Sequence, residues 1–165
     1  MVVYYTTVFF MANLVDVNDK YNFSKVTRYI KREMFKKKKI ILPINLHNNH
    51  WAISVIEIEM KIIKYLDSKH LDGDLYVKAL LRFVHDAWNM LNKDPTLPDS
   101  DQWEMISRNV NIPAQANDYD CGVFCCMYAD YKSNDVVLIF SNENIPQQRW
   151  VIKEAFKTTN YINID

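Results

Sequence analysis

One stretch constrains this chain more than any other: residues 115–130, QANDYDCGVFCCMYAD. It reads as a polar turn that breaks into a helix, with Cys121 at the junction. Asn117, Asp118 and Asp120 are turn and cap residues, and Val123, Phe124, Met127, Tyr128 and Tyr131 then recur at helical spacing. A thiol in the first turn of a helix meets unpaired N–H groups and the positive end of the macrodipole. Both favour the thiolate, which is the nucleophilic form of cysteine. A helix terminus alone is not enough, and a nucleophile here needs a base from elsewhere in the fold.

The totals narrow the setting. A chain of 165 residues, 49% hydrophobic, is expected to form one domain over 1–165 with its own core. Twenty basic and twenty acidic side chains balance, so no global field points to nucleic acid or an acidic partner. Two glycines and five prolines argue against linkers and low complexity. Cys121, Cys125 and Cys126 fall within six residues, which is neither a spread disulfide framework nor zinc-site spacing. That usage suits a reducing compartment. The opening MVVYYTTVFFMANLV has no basic n-region or cleavage site and is too short and polar to span a bilayer. The expectation is an intracellular monomer of nucleus and/or cytoplasm, with no nucleic-acid or membrane partner.

Along the chain, residues 2–14 read as a buried segment whose run Val8, Phe9, Phe10, Met11 suits a helix packed on all sides or a short strand, the helix being preferred. Ser24 looks like the N-cap of a helix to about Met34. The four lysines 36–39 read as a solvated turn. Residues 40–45 and 51–59 read as strands and 61–66 as a third, joined to the second by a hairpin turn. An amphipathic helix is expected over 73–91, an exposed loop over 94–101 and a strand over 103–110, with Trp103 supporting the sheet. A last helix starts near Pro146 and runs to about Phe156. The fold class is α+β, a small mixed or antiparallel sheet flanked by helices.

His50 precedes one core strand and Asp67 closes the next, so a hairpin would bring both to one sheet edge, where Cys121 could face them. His50 would accept the thiol proton, Asp67 would orient the imidazole, and Gln115 and the Cys121 N–H could bind a developing oxyanion. On the residues alone His47, His70 and His85 compete with His50, and Asp67 reads equally well as a turn residue. Cys125 and Cys126 read as buried core thiols.

HWAISVIEIEMKIIKYLDS, a strand with Trp103 at its start, and PAQANDYDCGVFCCMYAD, in that order, resemble the SUMO-specific (sentrin-specific) cysteine protease family. That family has His-Trp opening a strand, an Asp seventeen residues on in a Y-x-D-S context, and a Gln six residues before Asp-Cys-Gly, spacings that His50–Asp67 and Gln115–Cys121 reproduce. The resemblance covers the chain from about Val8 onward. It implies the papain-like, adenoviral-endopeptidase-like fold, with His50 as general base, Asp67 as orienting acid, Cys121 as nucleophile and Gln115 as oxyanion donor. Trp51 is similar to the indole beside the narrow tunnel for the substrate's Gly-Gly tail; the lesser alternative is an ordinary strand-face core side chain. A tunnel that tight suits glycine, which has no Cβ.

The activity implied is cleavage after the C-terminal Gly-Gly of a ubiquitin-like modifier, SUMO foremost, without metal or cofactor. The alternatives are a deneddylase or deubiquitinase of the same fold, or an inactive domain that binds a modifier. An acetyltransferase with a similar His-acid-Cys order is a weaker alternative. Family domains usually begin with a further segment that walls the tunnel, so this chain is expected to start inside such a domain, at a helix.

Overall fold

The computed structural model describes residues 3–93 and 100–158. A five-stranded mixed sheet forms its centre, in the order β1-β2-β3-β4-β5. The strands are β1 (Val3–Tyr5), β2 (Lys39–Leu46), β3 (His50–Glu57), β4 (Ile62–Leu66) and β5 (Glu104–Ile106). The β2–β3 and β3–β4 pairs are antiparallel, whereas β1 and β5 add to the edges in parallel. The helices are α1 (Phe9–Leu14), α2 (Asp74–Asn92), α3 (Cys121–Ser133) and α4 (Ile145–Thr158).

Alternation along the central strands divides the interior in two. Ile40, Leu42 and Ile44 of β2, Ala52 and Ile56 of β3, and Ile63 and Tyr65 of β4 face one core with Val77, Leu80, Phe83 and Val84 of α2. Ile41, Ile53, Val55 and Leu66 face the other, beneath Val123, Phe124, Met127 and Tyr128 of α3. A sheet covered on both faces needs near-continuous apolar strands, which is what β3 supplies. Pro43 sits inside β2 at no cost to the ladder. The Ile41 carbonyl accepts the Thr6 N–H at 3.1 Å on the β1 side, and two residues on Pro43 faces that same side, past the end of β1.

Several expectations need correction. The chain enters on a strand: Val3–Tyr5 pairs with β2 before α1 begins. Three residues are too few for a periodic signal, and a parallel edge strand needs a distant partner. In α1, Phe10, Met11 and Leu14 are buried, but Val8 and Phe9 are exposed, so this segment is not packed all round. The helix expected from Ser24 is replaced by three 3-10 turns, Phe23–Lys25, Thr27–Tyr29 and Arg32–Lys36. Val26 and Met34 are both fully buried, and the chain bends through extended Ile30 (ψ 120°) to bring them to the same core. Branched Val26, Thr27 and Ile30 offer a straight helix little to oppose that packing.

The lysine run is solvated only in part. Lys39 opens β2, is buried, and donates from Nζ to the Lys132 carbonyl at 2.9 Å and to Asp135. The strand expected over 103–110 shrinks to Glu104–Ile106 because the Ser107 carbonyl accepts the Gly73 N–H at 2.9 Å, drawing the chain away toward α2. Of the loop expected over 94–101, residues 94–99 lie outside the described residues.

Candidate active site

The turn between β2 and β3 is set by its own backbone. His47 and Asn48 both have positive φ (50° and 59°), and the Asn49 N–H reaches the Leu46 carbonyl at 3.0 Å. This is the left-handed turn that matches strand twist, and it assigns His47 to the bend. His70 also has positive φ and its Nε2 meets the Ile112 carbonyl at 3.1 Å. His85 lies on α2. Three of the four histidines are thus accounted for elsewhere, and His50 starts β3.

The register pairs Ile53 with Leu66. Continued by one residue it sets Ala52 opposite Asp67, so His50 and Asp67 become diagonal neighbours on one face. His50 Nε2 lies 2.7 Å from Asp67 Oδ1, and both residues are buried. The same oxygen accepts the Lys69 N–H at 2.7 Å, and Oδ2 accepts the Tyr65 hydroxyl at 2.9 Å. Both carboxylate oxygens thus accept hydrogen bonds. Nε2 of a neutral His50 therefore carries the hydrogen, and the lone pair falls on Nδ1. That Nδ1 is buried and has no hydrogen-bond partner among the described residues. Burial first, then the charge of Asp67, pushes the Tyr65 phenol far up, so it remains a donor.

The start of α3 lies over the start of β3. Cys125 Sγ contacts the Ala52 carbonyl at 3.5 Å, and Cys121 is one helical turn earlier on the same face. A Cβ on Gly122 would stand 3.9 Å from Cδ1 of Trp51, so the indole borders the residue after Cys121. Cys121 itself is buried at 5% exposure. Lys69, whose ammonium is raised first by its hydrogen bond to Asp118, also feels the charges of Cys121 and Asp67. Burial, then the neighbouring Cys126 and Cys121, push the Cys125 thiol far up, leaving it an inert core group. Cys126 is exposed, a correction to its expected burial, because it points off the helix face that meets β3.

Gln115 is held by the residue after Asp67. Its N–H donates to the Ser68 carbonyl at 2.9 Å, and its Oε1 accepts the Ser68 hydroxyl at 2.5 Å. With Oε1 so fixed, the amide nitrogen points the other way, and one of its hydrogens goes to the Asn117 carbonyl. Tyr65 and Ser68 entered the sequence reading only as the Y-x-D-S context of Asp67, without a role, and Arg149, bonded to Asp120, did not enter it. Tyr65 had a legible signal, since two residues along a strand share a face with Asp67. Arg149 had none.

Residues 3–159 match the model of the Ulp1 protease family, C-terminal catalytic domain.

The chain belongs to that family.

Sentrin-specific protease 2 of Homo sapiens is 34% identical over 114 residues, which are 68% of this chain and 19% of that protein. Ubiquitin-like-specific protease 1 of Saccharomyces cerevisiae is 29% identical over 153 residues, 91% of this chain and 23% of that protein. The chain thus spans about a fifth to a quarter of the curated relatives it matches (19% and 23%). The solved structure of the C-terminal Ulp1 protease domain in complex with Smt3, the yeast ortholog of SUMO, is 29% identical. It superposes with a TM-score of 0.71 over 90% of this chain and 64% of that one. The fold is the α+β cysteine-protease fold of the Ulp1 family. Among the described residues no helix is long and apolar enough to cross a membrane.

Proposed function

We propose that this chain is a thiol protease domain, 1–165, that cleaves after the C-terminal Gly-Gly of a ubiquitin-like modifier, with SUMO as the modifier. One observation carries the reading. The His50–Asp67 hydrogen bond of 2.7 Å leaves a buried Nδ1, unpartnered among the described residues, at the end of the sheet where α3 begins with Cys121. The Ulp1 structure in complex with Smt3 supports SUMO, as do the sentrin-specific relatives.

In this reading Nδ1 of His50 takes the Cys121 proton, and Asp67 stabilises the imidazolium that forms. The thiolate attacks the carbonyl of the terminal glycine. The oxyanion is met by the Gln115 amide and the Cys121 N–H, two donors already oriented before reaction. Collapse expels the amine, which leaves with the proton held by His50. A water, activated by the same imidazole, then hydrolyses the thioester and frees the modifier. Trp51, beside Gly122, narrows the path of the Gly-Gly tail, and a side chain there would not pass. Such a thiol works in a reducing compartment, which fits nucleus or cytoplasm.

The test is incubation with SUMO bearing a C-terminal electrophile, beside NEDD8 and ubiquitin equivalents, followed by intact mass and peptide mapping. An adduct with SUMO alone, on Cys121, is expected. An adduct with another modifier would reassign the substrate. No adduct from a folded chain would leave a binding domain in place of an enzyme.

A further inference from the structure

Asp120, immediately before Cys121, is a buried carboxylate at the cap of α3, and its carbonyl accepts the N–H groups of Val123 (2.9 Å) and Phe124 (3.0 Å). Its side chain is met from two directions. Asn117 Nδ2 donates to Oδ2 at 2.6 Å, and Arg149, twenty-nine residues later on α4, donates to Oδ1 from Nε at 3.1 Å and also from its terminal nitrogen. The same terminal nitrogen of Arg149 reaches the Tyr119 carbonyl at 3.2 Å. Asn117 in turn accepts the Tyr119 and Asp120 N–H groups on its side-chain oxygen and the Gln115 amide on its backbone carbonyl. One network therefore runs from α4 to the residue before the candidate nucleophile and to the candidate oxyanion donor.

We propose that Arg149 is a positioning residue for Cys121: it fixes the 119–120 backbone that delivers the thiol and neutralises the Asp120 carboxylate beside it. The inference rests on the reading of Cys121 as nucleophile. A negative charge next to a thiol disfavours the thiolate, and a buried carboxylate without its cation is such a charge. Arginine cannot lose its proton, so it keeps the junction neutral at every working pH. Other titratable groups around the junction include Tyr119, whose ring lies under Arg149, Asp118 in the preceding turn, Cys125 and Cys126 on α3, His50 at the start of β3, and Asp67 and Lys69 beyond β4. Among Asp120's hydrogen-bond partners, Asn117 and Arg149, the arginine alone brings charge.

Two substitutions separate charge from scaffolding. Arg149→Met leaves Asp120 uncompensated, and Asp120→Asn leaves Arg149 uncompensated while an amide still bonds Asn117. The pH midpoint of Cys121 alkylation by iodoacetamide, mapped by peptide mass to exclude exposed Cys126, is read in each. It should rise by about one pH unit in Arg149→Met and fall by a similar amount in Asp120→Asn. Arg149→Lys should stay near wild type. A role confined to bracing the helix would move both substitutions the same way or not at all, and that result overturns the proposal. The midpoint is readable whether or not the chain turns over a modifier. A wild-type chain that ignores the SUMO electrophile therefore sinks the functional reading, and the opposed shifts still decide this one.

Discussion

His50 and Asp67, seventeen residues apart, are joined Nε2 to Oδ1 at 2.7 Å, and a single hairpin register puts them there. Asp67 uses both of its oxygens, one toward His50 and the Lys69 N–H, the other toward Tyr65. Asp67→Asn can keep its oxygen toward His50, since the Tyr65 hydroxyl can turn and accept from the new amide. The fold should survive and the charge behind the imidazolium is lost. Turnover of SUMO with a C-terminal fluorogenic amide should fall by about 10³–10⁴-fold, with a melting temperature close to wild type. Activity near wild type would reduce Asp67 to a turn residue.

Gly73 illustrates a close approach that supports the site from behind. A Cβ at this position would stand 2.2 Å from Cγ of Tyr65, whose hydroxyl bonds Asp67. Gly73→Ala must push the ring or α2 aside, at about 1–3 kcal/mol. Gly122→Ala meets only the ordinary 3.9 Å contact with Trp51 and should cost no stability. Urea unfolding of the two variants checks the contrast, and equal losses would contradict it.

In the proposed mechanism Gln115 and Ser68 separate a donor from the group that aims it. Gln115→Ala should lower kcat by about 10²–10³-fold, the usual loss for one oxyanion donor, with KM little changed. Ser68→Ala removes only the hydroxyl that holds Oε1 at 2.5 Å, so its loss should be smaller. Steady-state kinetics on the fluorogenic amide would show the ranking. A larger effect at Ser68 would mean the serine, not the glutamine, meets the substrate.

Asp120 gives a stability signature in acid. Burial pushes its carboxyl up, but the hydrogen bonds from Asn117 and Arg149 and the charge of Arg149 outweigh it and hold it below the ordinary range. A depressed folded value means the stabilisation is complete above the unfolded value of about 3.9 and is lost as pH falls through the folded one. Arg149→Met should therefore be less stable than wild type at neutral pH, and the gap should close in acid. Urea midpoints from pH 7 down to pH 3 test this, and a gap independent of pH would show that the guanidinium acts by packing alone.

Local patterning made much of this chain legible. The apolar alternation of β2, β3 and β4, the stripe of α2 and the turn-to-helix break at Cys121 all arise from neighbours within a few residues, so they leave periodic traces. The set His50, Asp67, Gln115 and Cys121 was legible for a different reason: their order and spacings resemble those of the SUMO-specific protease family, whereas on the residues alone His47, His70 and His85 competed with His50. The segment 24–34 misled because its apolar residues fit a helix but serve a bend, where Val26 and Met34 reach one core from two turns.

Sequence by itself narrowed the candidates for the chemistry and outlined the central strands and helices that bear them. Tertiary structure alone decided that β1 joins the sheet in parallel, that Ser68 aims Gln115 across 47 residues, and that Arg149 reaches Asp120 across 29. Periodicity records only which face of an element is buried. Which distant side chain then meets that face is set when the two cores close around the sheet.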